Sequence, residues 1–125
     1  MELLKQLLEW GSDGHARTFK VGNVDVELRR DVGWDDPQVD QYHHLTTKVR
    51  SFKGVSFAKP GLTGSVKRNK QTNIWECDVN AQGFMADSPE TPIILNGAGK
   101  GPSAEAAIKS ALKNFIDTSS NNLSN

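Results

Sequence analysis

The strongest structural signal in this chain is residues 96–116, which read Asn-Gly-Ala-Gly-Lys-Gly-Pro-Ser-Ala-Glu-Ala-Ala-Ile-Lys-Ser-Ala-Leu-Lys-Asn-Phe-Ile. The second half carries apolar residues at the spacing of one helical face, namely Ala107, Ile108, Ala111, Leu112, Phe115 and Ile116. Pro102 suits the first helical position, and Glu105 suits the positive end of the helix dipole. We therefore predict a tight glycine-rich turn at 96–101, followed by an amphipathic helix that packs on a sheet.

The residues before this helix predict a sheet built from hairpins. Residues 19–28 alternate between apolar and polar around Gly22-Asn23, a pair typical of a type II′ or I′ turn, so Val21 should face Val24. The other strand candidates are residues 46–57, 62–68, 73–79 and 93–95, and the second and third of these form another hairpin.

The two ends of the chain and an acidic loop complete the fold prediction. Leucines at helical spacing in residues 2–10 predict a short N-terminal helix, which either docks on the core or serves to form a homodimer. Residues 31–44 are rich in Asp and read as a loop, and residues 118–125 read as a disordered polar tail. We predict one α+β domain over residues 1–117, in which an antiparallel sheet of about five strands is covered by the C-terminal amphipathic helix.

Charge is unevenly distributed along the chain, although the formal net charge is zero. Residues 41–75 contain seven Lys and Arg residues and no Asp or Glu, whereas residues 1–40 contain nine acids and five bases. A basic stretch of this kind is typical either of an anion-binding surface or of a solvated face that offsets acidic neighbours. This asymmetry is the main indication of function in the sequence.

Six cations of the acid-free segment are candidate contacts for the phosphates of a nucleic acid. They lie on one extended segment and at one hairpin tip: Lys48, Arg50, Lys53, Lys67, Arg68 and Lys70. A basic hairpin tip can follow a phosphate backbone, but adjacent residues such as Lys67 and Arg68 leave a strand on opposite faces. The acidic loop offers a second surface, where Trp34 and Tyr42 are candidate contacts for a protein partner.

Other chemistries fit the sequence less well. The glycine-rich stretch lacks the spacing of a phosphate-binding loop, because Gly101-Pro102 follow Lys100 where that loop requires Ser or Thr. The Asp-rich loop lacks the alternation of a calcium-binding EF-hand loop, and the three histidines with Cys77 show no ligand repeat. No nucleophile elbow is present. We therefore predict a protein that is not an enzyme and holds no metal and no cofactor.

Residues 62–116 resemble the C-terminal half of double-stranded-RNA-binding domains. The likeness rests on strands followed by Gly99-x-Gly101-x-Ser103 and then by Ala107 and Ala111. It implies a βββα arrangement with the helix packed on the sheet. The lysines with which that family contacts phosphates are absent, and the corresponding positions here are Ala104, Glu105 and Ile108.

The order of strands and helix is also similar to that of plant-type and phage-integrase DNA-binding β-sheet domains. In those domains the sheet meets the DNA, not the helix. The resemblance implies DNA contacts by Lys48, Arg50, Lys67 and Arg68.

The sequence favours a small, non-enzymatic nucleic-acid-binding accessory protein that uses residues 46–70. The alternative is a protein-binding module or inhibitor, for example a viral or phage accessory protein that acts on a host or defence factor. No apolar run approaches the roughly 18 residues of a membrane span, and the N-terminus lacks the features of a secretion signal. Cys77 is the single cysteine and cannot form an intrachain disulfide. We therefore expect a cytoplasmic protein.

Overall fold

The computed structural model describes residues 16–31, 36–85 and 87–123 of the chain. Within these residues, eight strands form one antiparallel sheet and one helix, α1 (Ala104–Leu123), follows them. The strands are β1 (Ala16–Val21), β2 (Val24–Arg30), β3 (Val39–Thr47), β4 (Ser51–Phe52), β5 (Val55–Phe57), β6 (Thr63–Asn69), β7 (Trp75–Met85) and β8 (Ser88–Gly101). The predicted helix at residues 2–10 lies outside the described residues.

Strand β7 holds the sheet together. One of its edges pairs with β6 over residues 75–80 and then with β5 over residues 83–85, while its other edge pairs with β8. Strands β1, β2 and β3 continue the sheet beyond β6, and the short β4–β5 hairpin extends the line of β6. Because the pairing is antiparallel throughout, short loops suffice to connect most neighbours.

The prediction of about five strands is wrong because of residues 39–57, and the predicted turn at residues 96–101 is wrong as well. Strand β3 begins at Val39, inside the stretch that was expected to be a loop. Residues 46–57 divide into the end of β3 and the β4–β5 hairpin, whose turn residues Lys53 and Gly54 have φ angles of 49° and 83°. Residues 96–101, expected to be a turn, are the last part of β8.

The first hairpin has the predicted register. Val21 pairs with Val24 and Phe19 pairs with Val26. Gly22 has a φ of 61° and Asn23 has a negative φ, which is the pattern of a type II′ turn. Local sequence was sufficient here because the turn and the alternation specify the same register.

The core lies between α1 and one face of the sheet, which we call the inner face; the opposite face is the outer face. Burial alternates along β7, so that Trp75, Cys77, Val79 and Ala81 are buried on the inner face. The buried face of α1 contacts β8, β7, β6 and also β1 at the far edge of the sheet. The sheet must therefore curve around the helix.

Glycines on β8 allow α1 to lie directly against the strand backbone. Gly97, Gly99 and Gly101 alternate on the inner face, opposite Val79, Cys77 and Trp75 of β7. A Cβ on Gly97 would lie 2.5 Å from the backbone nitrogen of Phe115, and a Cβ on Gly99 would collide with the backbone nitrogen of Ala111. These glycines are needed for close approach of two backbones rather than for a turn.

The ends of α1 differ from the prediction. Ser103 precedes the helix and caps it, because its hydroxyl accepts a hydrogen bond of 3.1 Å from the backbone nitrogen of Ala106. Pro102 therefore lies outside the helix. The predicted disordered tail from residue 118 is also wrong for the described residues, since α1 continues to Leu123 and Ser119 is fully buried.

Replacement of Gly99 by Val tests this close packing. The added side chain meets the helix backbone, so Gly99→Val should lower the free energy of unfolding by about 2–3 kcal/mol, as overpacking does. The matched control is Ala98→Val, because Ala98 is exposed on the outer face and Val is well suited to a strand. Urea unfolding of both variants gives the comparison, and equal stability of the two would contradict direct backbone packing.

Candidate interaction surface

The six basic residues singled out from the sequence do not share one surface. Lys48 follows β3 next to the start of β6, because the backbone nitrogen of Thr47 bonds to the carbonyl of Leu62. Lys67 and Lys70 lie at the other end of β6 and in the following turn. Lys67 is opposite Tyr42, six residues from Lys48, so the two lysines are separated by roughly 20 Å along the strand at about 3.3 Å per residue. The structure thus divides the acid-free segment between two ends of the sheet.

Arg68 is a structural cation on the inner face. Its Nε donates to Asp40 Oδ1 at 2.9 Å and its Nη2 donates to Asp40 Oδ2 at 2.7 Å. The guanidinium also lies over the ring of Trp75, 5.8 Å from the centroid. The hydrogen bonds from Arg68 lower the pKa of Asp40, and the same bonds raise the pKa of Arg68. The two hydrogen bonds to Asp40 hold the Arg68 guanidinium in place, so this cation is paired within the fold and is poorly placed to bind a ligand.

Two more of the six cations have local partners. Arg50 Nη1 donates to the backbone carbonyls of Thr47 at 2.9 Å and Val49 at 3.3 Å. The ammonium of Lys53 lies over the ring of Phe52, 5.9 Å from the centroid, and Phe52 packs against the core. Of the six cations, all of which are described, Lys48, Lys67 and Lys70 have side chains that make no hydrogen bond, ion pair or ring contact with the described residues.

The aromatic and imidazole side chains of β3 lie on opposite faces. Tyr42 lies on the outer face, opposite Lys67 in the ladder, and contacts the ring of His44 with centroids 5.4 Å apart. His44 Nε2 is 2.7 Å from Asp31 Oδ2. His43 is buried on the inner face and stacks on Trp75. The second candidate for a protein contact, Trp34, lies outside the described residues.

The Asp40–Arg68 pair should stabilise the fold rather than a complex. Each side chain is about one third exposed, so a double-mutant cycle with Asp40→Asn and Arg68→Gln should give a coupling energy of about 1 kcal/mol. Lys67→Gln is the control and should leave urea stability unchanged, because no ion pair of the described residues involves it. A coupling energy of zero would argue against the bidentate geometry.

Burial of His43 makes stability depend on pH. Desolvation, helped by the charges of Arg30 and His44, lowers the pKa of His43 from 6.5 to about 4. Between these two values the unfolded chain binds a proton that the folded protein does not, so stability is complete above pH 6.5 and decreases as the pH falls towards 4. Acidification therefore favours the unfolded chain in this window.

Urea unfolding at pH 7.5 and pH 5 measures this effect. We expect a loss of about 2 kcal/mol between these pH values, because one pKa unit corresponds to about 1.4 kcal/mol. His43→Phe keeps a ring against Trp75 and should remove most of that loss. An unchanged slope in His43→Phe would assign the pH dependence to other groups.

The described residues do not support metal or thiol chemistry. No group of three or more His, Cys, Asp or Glu side chains is placed to hold a metal ion in residues 16–31, 36–85 and 87–123. His43 and His44 point apart, as the alternation of a strand requires. Burial raises the pKa of the Cys77 thiol to about 12, so the thiol stays protonated at neutral pH.

The outer face carries an apolar cluster that sequence reasoning did not identify as a site. Ile94 is 69% exposed. Phe84 and Pro92 are directly opposite one another in the β7–β8 ladder, and Ile94 is paired with the next outer residue of β7, Gln82. We call Phe84, Pro92 and Ile94 the Ile94 patch. The run at 93–95 was recognised as apolar, but only the register with β7 shows which of its residues faces solvent.

Uncharged polar residues surround most of the Ile94 patch. On the outer face its neighbours across and along the strands are Ser56, Asn80, Gln82 and Asn96, and the one charged residue close to it in the strand is Glu90, two residues before Pro92. An exposed apolar centre with a polar, uncharged margin is the composition of a protein contact, because the cores of such interfaces are depleted of charged residues. A site for phosphates needs the opposite composition.

Two positions on the free edge of β8 are closed to pairing with another strand. In the antiparallel ladder, the backbone groups of the even-numbered residues 94–100 point away from β7, as the bond of 2.6 Å from Asn114 Nδ2 to the Ala98 carbonyl illustrates. That bond occupies one edge acceptor, and Pro92 has no N–H to offer. These two positions interrupt the backbone template that the edge would otherwise offer to another strand.

Comparison with known proteins gives no assignment. No family model matches the chain, and no curated protein and no solved structure is significantly similar to it. The resemblance of residues 62–116 to double-stranded-RNA-binding domains therefore stays a prediction. In the described part of the chain, no helix combines the length and apolarity that crossing a membrane requires.

Proposed function

We propose that this protein is a non-enzymatic protein-binding module whose contact surface is the Ile94 patch on the outer face of the sheet. The observation that carries the proposal is the 69% exposure of Ile94 beside Phe84 and Pro92 on two paired strands. Residues on paired strands are held in place before binding, so little side-chain freedom is lost when a partner covers them.

The energy available from this patch is sufficient for a specific contact. Burial of one large aliphatic side chain contributes about 1.5–3 kcal/mol, and a few such residues near the centre of an interface dominate its affinity. Ile94 is the most exposed large apolar residue of the described chain; Ile74 and Ile116 are 38% and 48% exposed. Ile94 is therefore the expected anchor.

Nucleic-acid binding is the competing proposal, and the geometry supports it less. Of the six predicted cations, Arg68 and Arg50 have hydrogen-bond partners and Lys53 is turned towards Phe52. Lys67 lies opposite Tyr42 and Lys70 follows in the turn at the same end of the sheet, whereas Lys48 lies at the other end. Two lysines neutralise few phosphates, so binding through them would be weak and would fall steeply with salt.

Affinity capture with Ile94→Asp tests the proposal. Immobilised wild-type protein should retain a partner protein that Ile94→Asp loses, and a titration with that purified partner should show at least about a tenfold weaker Kd. The matched control is Ile116→Asp, the same substitution at a half-exposed site on α1. Circular dichroism verifies that both variants are folded.

Three results would contradict the proposal. One is a partner that Ile94→Asp retains, another is a partner that both variants lose equally, and the third is the absence of any saturable protein partner. In parallel, polarisation titrations with duplex and single-stranded probes at about 50 mM salt test the competing proposal. Binding of a probe that Lys67→Glu weakens and Ile94→Asp leaves unchanged would replace a protein partner by a nucleic acid.

A further inference from the structure

We infer that two copies of this chain pair edge to edge through β8, in the antiparallel register that places Pro92 of each copy opposite Ala98 of the other. The occupant of the free β8 edge is thus a second copy of the chain. This contact goes beyond the binding proposed for the Ile94 patch and does not rest on it. Its basis is the pattern of hydrogen-bonding groups along the edge.

Every second residue of β8 directs its backbone N–H and carbonyl away from β7. The carbonyl of Gln82 accepts from the nitrogen of Ala58, so the even-numbered residues of β7 bond towards β5 and β6, and the odd-numbered ones bond to β8. Odd residues face odd residues in the β7–β8 ladder, which leaves the even residues of β8 directed to the free edge. Ile94 and Asn96 therefore present a donor and an acceptor each, and no described residue bonds to these groups.

The two interrupted positions of this edge match each other. The Ala98 carbonyl already accepts from Asn114 Nδ2 at 2.6 Å and needs no further donor. Pro92 has no N–H to give. When Pro92 lies opposite Ala98 in an antiparallel pair, these two groups would be the partners of one hydrogen bond. In that register the missing donor falls on the occupied acceptor, and the Ala98 N–H still donates to the Pro92 carbonyl.

Neighbouring registers lack this match. If the second strand moves by two residues in either direction, Pro92 faces Asn96 or Lys100, whose carbonyl is left without a donor. The occupied Ala98 carbonyl then faces a residue whose N–H is left without an acceptor, and both losses occur twice in a symmetric pair. An unrelated strand would need a missing donor at the matching position, whereas a second copy of β8 supplies it in Pro92.

The helices do not meet at one place on the paired strands. The two-fold axis passes Leu95, and residues 92–98 of the two copies pair, which is half of the 14-residue strand. Each α1 contacts its own β8 at Gly97, Gly99 and Gly101, all on one side of Leu95. Gly99 of one copy lies eight residues from Gly99 of the other along the strands, which is about 26 Å. The two helices therefore touch the paired strands at opposite ends.

Side chains on the outer face suit the same register. Ile94 lies opposite Asn96 of the second copy, so the two Ile94 side chains are diagonal neighbours across the axis, with Cα atoms about 7–8 Å apart. Long side chains make contact over this distance. The Ile94 patches of the two copies thus become the halves of one larger apolar surface.

Charges at the ends of the paired segment are also compatible. Glu90 of one copy approaches Lys100 of the other at each end, and both side chains are exposed. Neither forms an ion pair with a described residue of its own chain. Lys100 also neighbours Glu76 and Asp78, but Lys67 lies on the other side of those carboxylates, so Lys100 is not their sole neighbouring cation.

Sedimentation equilibrium at rising protein concentration tests the contact. A short paired segment is typical of weak, reversible interfaces, so the average mass of the wild type should rise from 13.7 kDa towards twice that value between about 10 μM and about 1 mM. Asn96→Pro removes a free-edge N–H in the middle of the contact and no bond within the sheet. It should weaken association at least about tenfold.

The matched control is Thr18→Pro on β1, the strand at the opposite edge of the sheet. Thr18 is exposed and faces Glu27, one of the odd-numbered β2 residues that bond to β3, so its N–H is also directed to a free edge. Thr18→Pro should associate like the wild type. Circular dichroism verifies that both proline variants are folded.

Oxidation of introduced cysteines tests the register. Opposite residues of a bonded pair have Cα atoms about 5.5 Å apart, so Pro92→Cys/Ala98→Cys should form a covalent dimer with oxidised glutathione. Within one chain these positions are six residues apart, about 20 Å, and cannot be joined. Ala98→Cys alone should stay uncrosslinked for the same reason across the axis. The native Cys77 is buried, so it does not take part.

Four results would overturn the inference. A wild type that keeps one chain mass up to about 1 mM does so and leaves the binding proposed for the Ile94 patch standing. Association that the two proline variants affect equally also does so. A covalent dimer of Ala98→Cys alone, or none from Pro92→Cys/Ala98→Cys, would show that the axis does not pass Leu95.

Discussion

Direct contact between the backbone of α1 and the backbone of β8 sets the architecture of this protein. Because Gly97, Gly99 and Gly101 have no side chains, the backbone of α1 packs directly against the backbone of β8. The apolar face of the helix then contacts β7 and β6. Phe115 then contacts the rings of Phe52 and Phe57, which anchors the β4–β5 hairpin to the same helix. The curvature of the sheet and the separation of its two faces follow from this one approach.

The two faces of the sheet use charge in different ways. On the inner face, Arg68 is held by its hydrogen bonds to Asp40. His43 on the same face is kept neutral, because burial lowers its pKa. On the outer face, the Lys20–Asp25 ion pair and the His44–Asp31 contact lie on the β1–β3 half. The β7–β8 half lacks such pairs among the described residues, and the Ile94 patch lies there. We therefore expect the functional contact on the half of the outer face where the described residues form no ion pair.

The sequence predicted the features that depend on neighbours in the chain. The Gly22-Asn23 hairpin, the opposite directions of His43 and His44, and an amphipathic C-terminal segment all follow from local periodicity. The role of residues 96–101 could not be predicted in the same way. Alternating glycines are compatible both with a turn and with a strand that packs closely under a helix. Only the packing of α1 against residues 97–101 shows that these glycines belong to a strand.

The candidate site could not be predicted from the sequence either, because it depends on contacts between residues that are distant in the chain. The acid-free segment was visible as a count of charges, but Arg68 and Arg50 turned out to bond within the fold, which no count can reveal. Ile94 was one of three consecutive apolar residues, and its exposure depends on the partner strand.

The bond from Asn114 to the Ala98 carbonyl has a consequence for the protein in concentrated solution. Fibrils grow when a strand adds to an exposed edge, and long sheet edges are where this growth starts. Here the helix that completes the core also occupies one acceptor on the edge, so another strand can pair along the whole of β8 only after Asn114 has released the Ala98 carbonyl. The resistance of this edge to strand addition thus depends in part on α1 remaining in place.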